Sequence, residues 1–425
     1  MEKKEAEKKI ALILGGTSPH KNLIMNLKQR GFYTVLVDYL KNAPAISVAD
    51  EYVCASTLDT EKILGIAQEK KADVVISTCI DQANRTCCYV AEKLGLPKPY
   101  DYQTALNVTD KGLMKKIMLE NQIPPATYMV VQDVTDIQWN KITYPAVIKP
   151  VDCNSSKGVH RADSAEEVTE YVENALQLSR TKNAIIEDFN EGREIQVDCF
   201  AENDDAVVIM TREKRKIERK NQMVLQSYGS IIPASLSEKV KKQTTEIAKK
   251  IAKSFGLKNT PFFYQAIVTD ETIHVLEFAP RIGGGLSSYL IKLVTGFDVL
   301  DAAVDSFLGN TVNVNYEQSS KYYATDLLYM RPGIFDHIEG VEQLKEQKII
   351  KEFFQLKEKG AVIDKDMCSS NRIAAFIVEA ENLEEMYAKS AKAFAEIEIY
   401  DADGVPLLNR EVCNVKGENH ETSSL

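Results

Sequence analysis

Five apolar residues, Ile10–Leu14, run directly into Gly15-Gly16-Thr17-Ser18, and a helical stretch over 21–29 follows before Gly31 stops it. A second apolar run, Thr34–Asp38, comes next, then a helical segment near Thr60–Lys70 and a strand-like run at Asp73–Ser77. Strands separated by helices cannot close as hairpins. The helical crossover makes them parallel and lays helices on the sheet faces. Ligands of such sheets gather at the carboxyl ends of the strands, and the Gly15–Ser18 loop is at such an end. The glycine fingerprint of a dinucleotide site is missing, so this loop reads as an ordinary strand-to-helix turn. The chain is therefore α/β at its start.

The rest of the 425 residues predicts one or two further domains. A linker near Lys98–Tyr102 precedes a helix expected over Thr109–Asn121, capped by Thr109 or Asp110 and stopped by Pro124-Pro125. Between Tyr144 and Asp198, strand-like runs flank one helix, Ser164–Ser179, where Ser164 and Glu167 form a capping-box pattern. A helix over Ser237–Phe255 ends at Gly256, and Phe262–Pro280 reads as a hairpin turning at Asp270-Glu271. Strands near Tyr322–Tyr329 and Arg372–Val378, and a helix near Leu383–Ile397, make the end of the chain mixed α+β. The polar tail 416–425 is expected to be disordered.

Lys and Arg total 52 against 62 Asp and Glu, a net charge of −10, which argues against a nucleic-acid or anionic-membrane binder. No apolar run is long enough for a membrane span, and the charged start lacks the core of a signal peptide. The eight cysteines form no CxxC pair, so neither a zinc site nor a disulfide framework is expected, and a cytoplasmic setting is.

Three segments carry the chemistry. In Tyr144-Pro-Ala-Val-Ile-Lys149-Pro150 a strand delivers a lysine, and the small, polar loop Asn154-Ser155-Ser156-Lys157-Gly158 follows. Small residues let backbone N–H groups approach phosphate oxygens, and a lysine adds a point charge for the same anion. In Ile185-Ile186-Glu187-Asp188-Phe189 an apolar strand ends in acids, and Glu194 follows seven residues after Glu187. In His274-Val-Leu-Glu277-Phe-Ala279-Pro-Arg281-Ile-Gly283-Gly284-Gly285 a carboxylate on a strand precedes an arginine by four residues. A carboxylate can hold Mg²⁺ bridging phosphates, and an arginine neutralises a transferring phosphoryl group.

In this order and spacing the segments resemble the ATP-grasp superfamily of carboxylate–amine ligases, which includes biotin carboxylase, purine-pathway ligases and L-amino-acid ligases. The resemblance implies an ATP-grasp fold: an N-terminal Rossmann-like parallel-sheet domain over 1–104, an ATP-grasp domain over 105–315 with a lid at about 125–190, and a C-terminal α+β domain over 316–415. It implies ATP and Mg²⁺, with Mn²⁺ as an alternative ion. Lys111 and Lys149 match the lysines that contact the nucleotide phosphates, and Asn154, Ser155, Ser156 and Gly158 the loop that folds over them. Glu187, Asp188 and Phe189 match the hinge strand that reads the adenine edge, and Glu194 the acid on the ribose. Glu277 matches the carboxylate bridging the metal. Arg281 matches the catalytic arginine near the transferred phosphate and the acid substrate, and Gly283, Gly284 and Gly285 the turn beside that substrate. In the basic stretch Thr211–Lys220, Arg212, Lys214 and Arg215 are candidates for reaching the triphosphate or acid, against the competing reading of a solvated charged loop.

Two positions depart from the family. Its second metal acid, twelve residues before Glu277, is Gln265 here, and Ala279 replaces a ligand asparagine. The implied reaction joins a small acid, an amino acid among them, to an amine through an acyl phosphate, with homodimerisation as a family expectation. A purine-type ligase such as one joining glycine to a phosphoribosylamine, and a nucleotide-binding protein that has lost catalysis, are the alternatives. His20 and His160, near the two loops, are expected to be solvated, and Arg372 is expected at the surface.

Overall fold

The computed structural model describes residues 8–153, 157–219, 222–364 and 371–412. Asn154, Ser155 and Ser156, and the tail 416–425, lie outside them. The N-terminal unit runs β1 (Ile10–Leu14), α1 (Ser18–Gln29), β2 (Tyr33–Asp38), β3 (Glu51–Cys54), α2 (Thr60–Lys70), β4 (Val74–Ile76) and α3 (Asp81–Leu94). Its four strands are parallel in the order β3-β2-β1-β4, as the alternation predicts. β1 and β4 are almost wholly apolar because helices cover both faces of the sheet.

The helix expected over Thr109–Asn121 is α5 (Lys111–Glu120), and a further helix, α4 (Tyr102–Thr109), precedes it. They break at Asp110, whose extended backbone (φ −107°, ψ 112°) frees its carboxylate to accept from Leu113 N–H. Such a cap stabilises a helix start by about 1 kcal/mol. A small antiparallel sheet follows, built from β5 (Tyr128–Val131), β6 (Ala146–Pro150), β7 (His160–Ala162) and β8 (Ala184–Asp188) in the order β5-β8-β6-β7, with α6 (Ala165–Leu178) on one face. α6 is capped by Ser164, which accepts from Glu167 N–H, while the Glu167 carboxylate accepts from Asp163 N–H rather than from the cap itself.

The centre of the molecule is an eight-stranded antiparallel sheet. It contains β9 (Arg193–Glu202), β10 (Asp205–Arg219), β11 (Gln222–Ile232), then, after α7 (Glu238–Ser254), β12 (Asn259–Val268) and β13 (Ile273–Ala279). α8 (Ser287–Thr295) and α9 (Val299–Phe307) precede β14 (Tyr322–Tyr329). The sheet order is β13-β12-β9-β10-β11-β14, continued by β19 (Arg372–Ala380) and β17 (Glu352–Gln355). Two short ribbons, β15 (Gly333–Ile334) with β18 (Val362–Ile363) and β16 (His337–Glu339) with β20 (Glu398–Tyr400), complete the C-terminal part with α10 (Val341–Glu346) and α11 (Leu383–Glu396). One sheet thus crosses from the middle of the chain into its end through β11 and β14. The basic stretch from Thr211 is not a solvated loop: it forms most of β10, with strands on both sides.

α7 buries Val240, Thr244, Ile247, Ala248 and Ile251, a helical stripe that covers one face of the sheet. α9 joins the two ends of the molecule. Its Val304 and Phe307 are buried in the N-terminal core, and Arg30 of α1 donates to Asp305 at 2.6 Å. Among the described residues no helix is long and apolar enough to cross a membrane, and Cys54, Cys79, Cys87, Cys88, Cys153 and Cys199 are free thiols.

Candidate active site

Lys111 opens α5 and reaches two other parts of the chain. Its Nζ donates to the Cys153 carbonyl at 2.7 Å, at the start of the small-residue loop, and lies 3.9 Å from Glu277 Oε2 on β13. The small sheet and the large sheet therefore meet across this lysine. One turn on, Lys115 projects from the same helix face and is fully buried, with Nζ 3.1 Å from Glu187 Oε1. Lys149 Nζ is 2.8 Å from the same oxygen. Burial alone would push the Glu187 carboxyl up, but Lys149 and Lys115 more than offset it and hold it below the usual range. Glu187 thus acts as the buried counter-ion of two lysines. Lys115 is a residue the motif reading missed, although its four-residue spacing from Lys111 was available.

The segment after Glu187 offers less to a nucleotide than expected. Asp188 N–H donates to the Thr127 carbonyl at 3.0 Å and Phe189 N–H to the Pro145 carbonyl at 3.2 Å. What these two residues retain are carbonyl oxygens and the Phe189 ring, which faces the Arg161 guanidinium at 4.8 Å. Gly158 adopts φ +71°, and a Cβ there would lie 2.6 Å from Leu178 Cδ1, so both conformation and space require glycine at the end of the loop.

On β9 and β10 the charges pair. Glu194, buried at the edge of the site, contacts Lys214 and Lys216. Burial raises its carboxyl, yet the two lysines prevail and bring it down to about 2. Asp198 lies 3.6 Å from Arg212 and accepts from Gln196 Nε2 at 2.8 Å; burial pushes its carboxyl up. Arg212 also donates to Ser287 at the start of α8. A Cβ on Gly283 would lie 2.5 Å from Gln196 Nε2 and 2.6 Å from Ser287 Oγ, so the glycine turn closes directly onto this cluster. Gly284 has open space around it and Gly285 takes φ +68°. Arg215 joins a different group. It contacts Asp326 of β14, which also accepts from Ser390, and stacks on Tyr228 at 4.9 Å.

Gln265 and Glu277 are directly opposite in the β12–β13 register. One carboxylate and one amide carbonyl side by side are hard oxygen donors, which suits Mg²⁺ when phosphates and water complete its shell. Among the described residues no three His, Cys, Asp or Glu side chains converge on a metal-sized site.

Arg281 is held by Asp81, at the first position of α3. Nε donates to Oδ1 at 2.5 Å, Nη2 to Oδ2 at 2.6 Å, and Nη1 to the Ile282 carbonyl at 2.8 Å, while the guanidinium lies 5.1 Å from the Phe263 ring centre. A guanidinium has five N–H bonds. These contacts use three of them and leave one N–H on each terminal nitrogen, donors that suit a carboxylate or phosphate. Asp81 was not singled out in the sequence, where it lies 200 residues from its partner.

Beside Asp81 is the first strand-to-helix loop. Gly16 N–H donates to Asp38 at 2.7 Å. His20 is fully buried rather than solvated, with Nδ1 2.8 Å from Thr17 Oγ1 and Nε2 3.3 Å from Ser77 Oγ. Burial lowers its pKa to about 4, so it is neutral. His160 stacks on Tyr171 at 4.5 Å. Arg372 is not free at the surface: it donates to the Tyr329 hydroxyl at 2.8 Å.

Known proteins share this layout. Residues 142–289 match the model of the ATP-grasp domain, and 327–401 that of the L-amino acid ligase C-terminal domain 2. The formate-dependent phosphoribosylglycinamide formyltransferase of Ignicoccus hospitalis is 27% identical over 282 residues, covering 64% of this chain and 69% of the relative. Carbamoyl phosphate synthase large chains also match, that of Thermoanaerobacter pseudethanolicus at 27% identity over 58% of this chain but only 25% of its own length. The L-amino acid ligase of Bacillus licheniformis superposes with a TM-score of 0.77 at 20% identity, covering 93% of this chain and all of that one. The biotin carboxylase domain of Hydrogenobacter thermophilus 2-oxoglutarate carboxylase, a dimer solved with MgADP and bicarbonate, superposes at 0.73 with 17% identity over 95% of this chain and 92% of its own. The chain thus carries an ATP-grasp domain, the domain of ADP-forming ligases, followed by an L-amino acid ligase C-terminal domain.

Proposed function

We propose that the protein is an ATP-dependent carboxylate–amine ligase that joins a small acid, an amino acid or a close relative, to an amine through an acyl phosphate. The observation that carries this reading is Lys111 touching both the lid loop at Cys153 and the Glu277 carboxylate, four residues before Arg281. It supports a reading in which phosphate-binding and acid-binding groups act side by side.

A carboxylate resists amines because oxide is a poor leaving group, and phosphorylation replaces it with a good one. Phosphoryl transfer needs positioning and charge neutralisation more than covalent chemistry. Lys149 and Lys111 bind the phosphates. Glu187 is the buried counter-ion that positions Lys149 and Lys115. The two free N–H groups of Arg281 orient the acid, with Asp81 fixing its plane. Glu277 and Gln265 are the residues that hold Mg²⁺, which supplies charge neutralisation at the phosphates. The loop that begins at Cys153 excludes water from an intermediate that hydrolyses. Asn154, Ser155, Ser156 and Gly158 in that loop meet the terminal phosphates, and Glu194 meets the ribose. Gly283, Gly284 and Gly285 line the acid.

The L-amino acid ligase model over 327–401 favours a small amine such as a second amino acid over a phosphoribosylamine as acceptor. Arg215, a candidate for an added phosphate group, is engaged with Asp326, which supports the same choice. The protein is proposed to be a cytoplasmic homodimer. The test is phosphate release from Mg-ATP against a panel of amino acids, singly and in pairs, with mass spectrometry of the products. Release that requires one acid and one amine supports the ligase. ATP binding without release by any pair supports the alternative of a chain that has lost catalysis.

A further inference from the structure

A cleft of about 690 Å³ opens at the other end of β9 and β12, away from Gln196 and Gln265. Glu202 on its wall is six residues along β9 from Gln196, roughly 20 Å at the rise of an extended strand. Four separate stretches build it: Lys98 and Asp101 where the N-terminal unit hands over to α4, Glu202 at the end of β9, Lys258 just before β12, and Ser306 on α9. Clefts at such junctions, of about 300–1,000 Å³, are where small ligands bind.

The wall has a distinctive chemistry. It carries two ammonium groups and two carboxylates, and Lys98 meets Asp101 only at 3.7 Å. Asn203, Asn259 and Asn313 add amides. A charge-balanced lining does not select a phosphate or a nucleotide, which needs net positive charge. It selects a molecule carrying both signs. Ser306, on this wall, supplies an independent sign of a ligand: the residue is 2% exposed and its hydroxyl has no hydrogen-bond partner among the described residues. A buried hydroxyl without a partner is costly and gains from a ligand's polar group.

We propose that this cleft is a second small-molecule site that takes a zwitterion of amino-acid or dipeptide size. Lys98 and Lys258 receive its carboxylate, Asp101 and Glu202 its ammonium group, and Ser306 a polar atom between them. The occupant bridges the N-terminal unit and the large sheet through α9, whose far residues are buried in the N-terminal core. This goes beyond the ligase reading and does not depend on it.

The test is isothermal titration of the full chain carrying Arg281→Ala, which disables the candidate active site, with the proteinogenic L-amino acids and L-alanyl-L-alanine as probes. At least one probe is expected to bind with one molecule per chain. Lys258→Glu, at an exposed position, and Ser306→Ala are each expected to weaken that binding about tenfold, the size of one lost polar contact. Thermal melts confirm that each variant is folded. Absence of binding by every probe overturns the proposal, as does binding that neither substitution changes. Failure of the ligase reading is seen separately, in phosphate release by the unmodified chain.

Discussion

Lys149 lies diagonally across β6 and β8 from Glu187, two residues along from the directly paired Val147, with its Nζ 2.8 Å from the carboxylate. Diagonal neighbours on one face of a sheet are within reach of long side chains. Lys115 arrives from a helix at the same oxygen. Breaking a buried ion pair by removing one partner costs about 3–5 kcal/mol, because the other charge is left uncompensated. Glu187→Gln should therefore lower stability by about 3 kcal/mol in urea unfolding. Replacing Lys115, Lys149 and Glu187 together by apolar residues of similar size should recover much of that loss. Lys149→Ala should weaken ATP binding about tenfold, the loss of one charged contact, and unchanged affinity would remove Lys149 from the phosphate site.

The acid limb of stability should carry the signature of Glu194. Its folded pKa of about 2 lies below the ordinary value of 4.5, so the stabilisation is present above pH 4.5 and is lost as the pH falls towards 2. The shift corresponds to something on the order of 3 kcal/mol. Denaturant unfolding between pH 6 and 2 should show the unmodified chain losing stability through this window, and Glu194→Gln losing distinctly less. Parallel curves would mean that Lys214 and Lys216 do not hold the carboxylate in solution.

Gln265 faces Glu277 in register, so a carboxylate at 265 adds a charge beside the existing one. Gln265→Glu should reduce the Mg²⁺ concentration needed for half-maximal phosphate release several-fold. Glu277→Ala should abolish release while the melting temperature stays close to that of the unmodified chain, since Glu277 is partly exposed. Retained turnover in Glu277→Ala would exclude it as a metal ligand.

Asp81 fixes the plane of Arg281. Without it the guanidinium can rotate, and its two free N–H groups no longer point at one place. Asp81→Asn should raise KM for the acid about tenfold with KM for ATP unchanged, because one charged contact is weakened. Arg281→Ala should cut kcat by about a hundredfold or more, as loss of one oriented donor does elsewhere. Equal changes in both KM values for Asp81→Asn would point to a general loss of domain alignment.

The order of elements was legible in the sequence because it depends on contacts between near neighbours. Ser164 and Ser237 cap the helices they precede, Gly256 follows α7, and the alternation of apolar runs with helical stretches produced the parallel sheet β3-β2-β1-β4. The spacing of Lys149, Glu187, Glu277 and Arg281 was enough to identify the ATP-grasp domain. The helix α4 and the strand from Asp205 to Arg219 were not legible, although Asp110 was a cap candidate for α5. The first starts at Asp101 with no side-chain cap bond, and the second depends on neighbours, β9 and β11, that pair the strand on both sides.

What each charged group faces was decided by tertiary structure alone. Asp81 and Arg281 are 200 residues apart, and Lys115, Lys149 and Glu187 come from three elements. The sequence states which residues can ionise and which backbone forms hold them. It contains no local signal for which opposite charge a chain reversal will bring within 3 Å, because that partner is chosen by packing of sheets and helices and by the cost of leaving a buried charge alone.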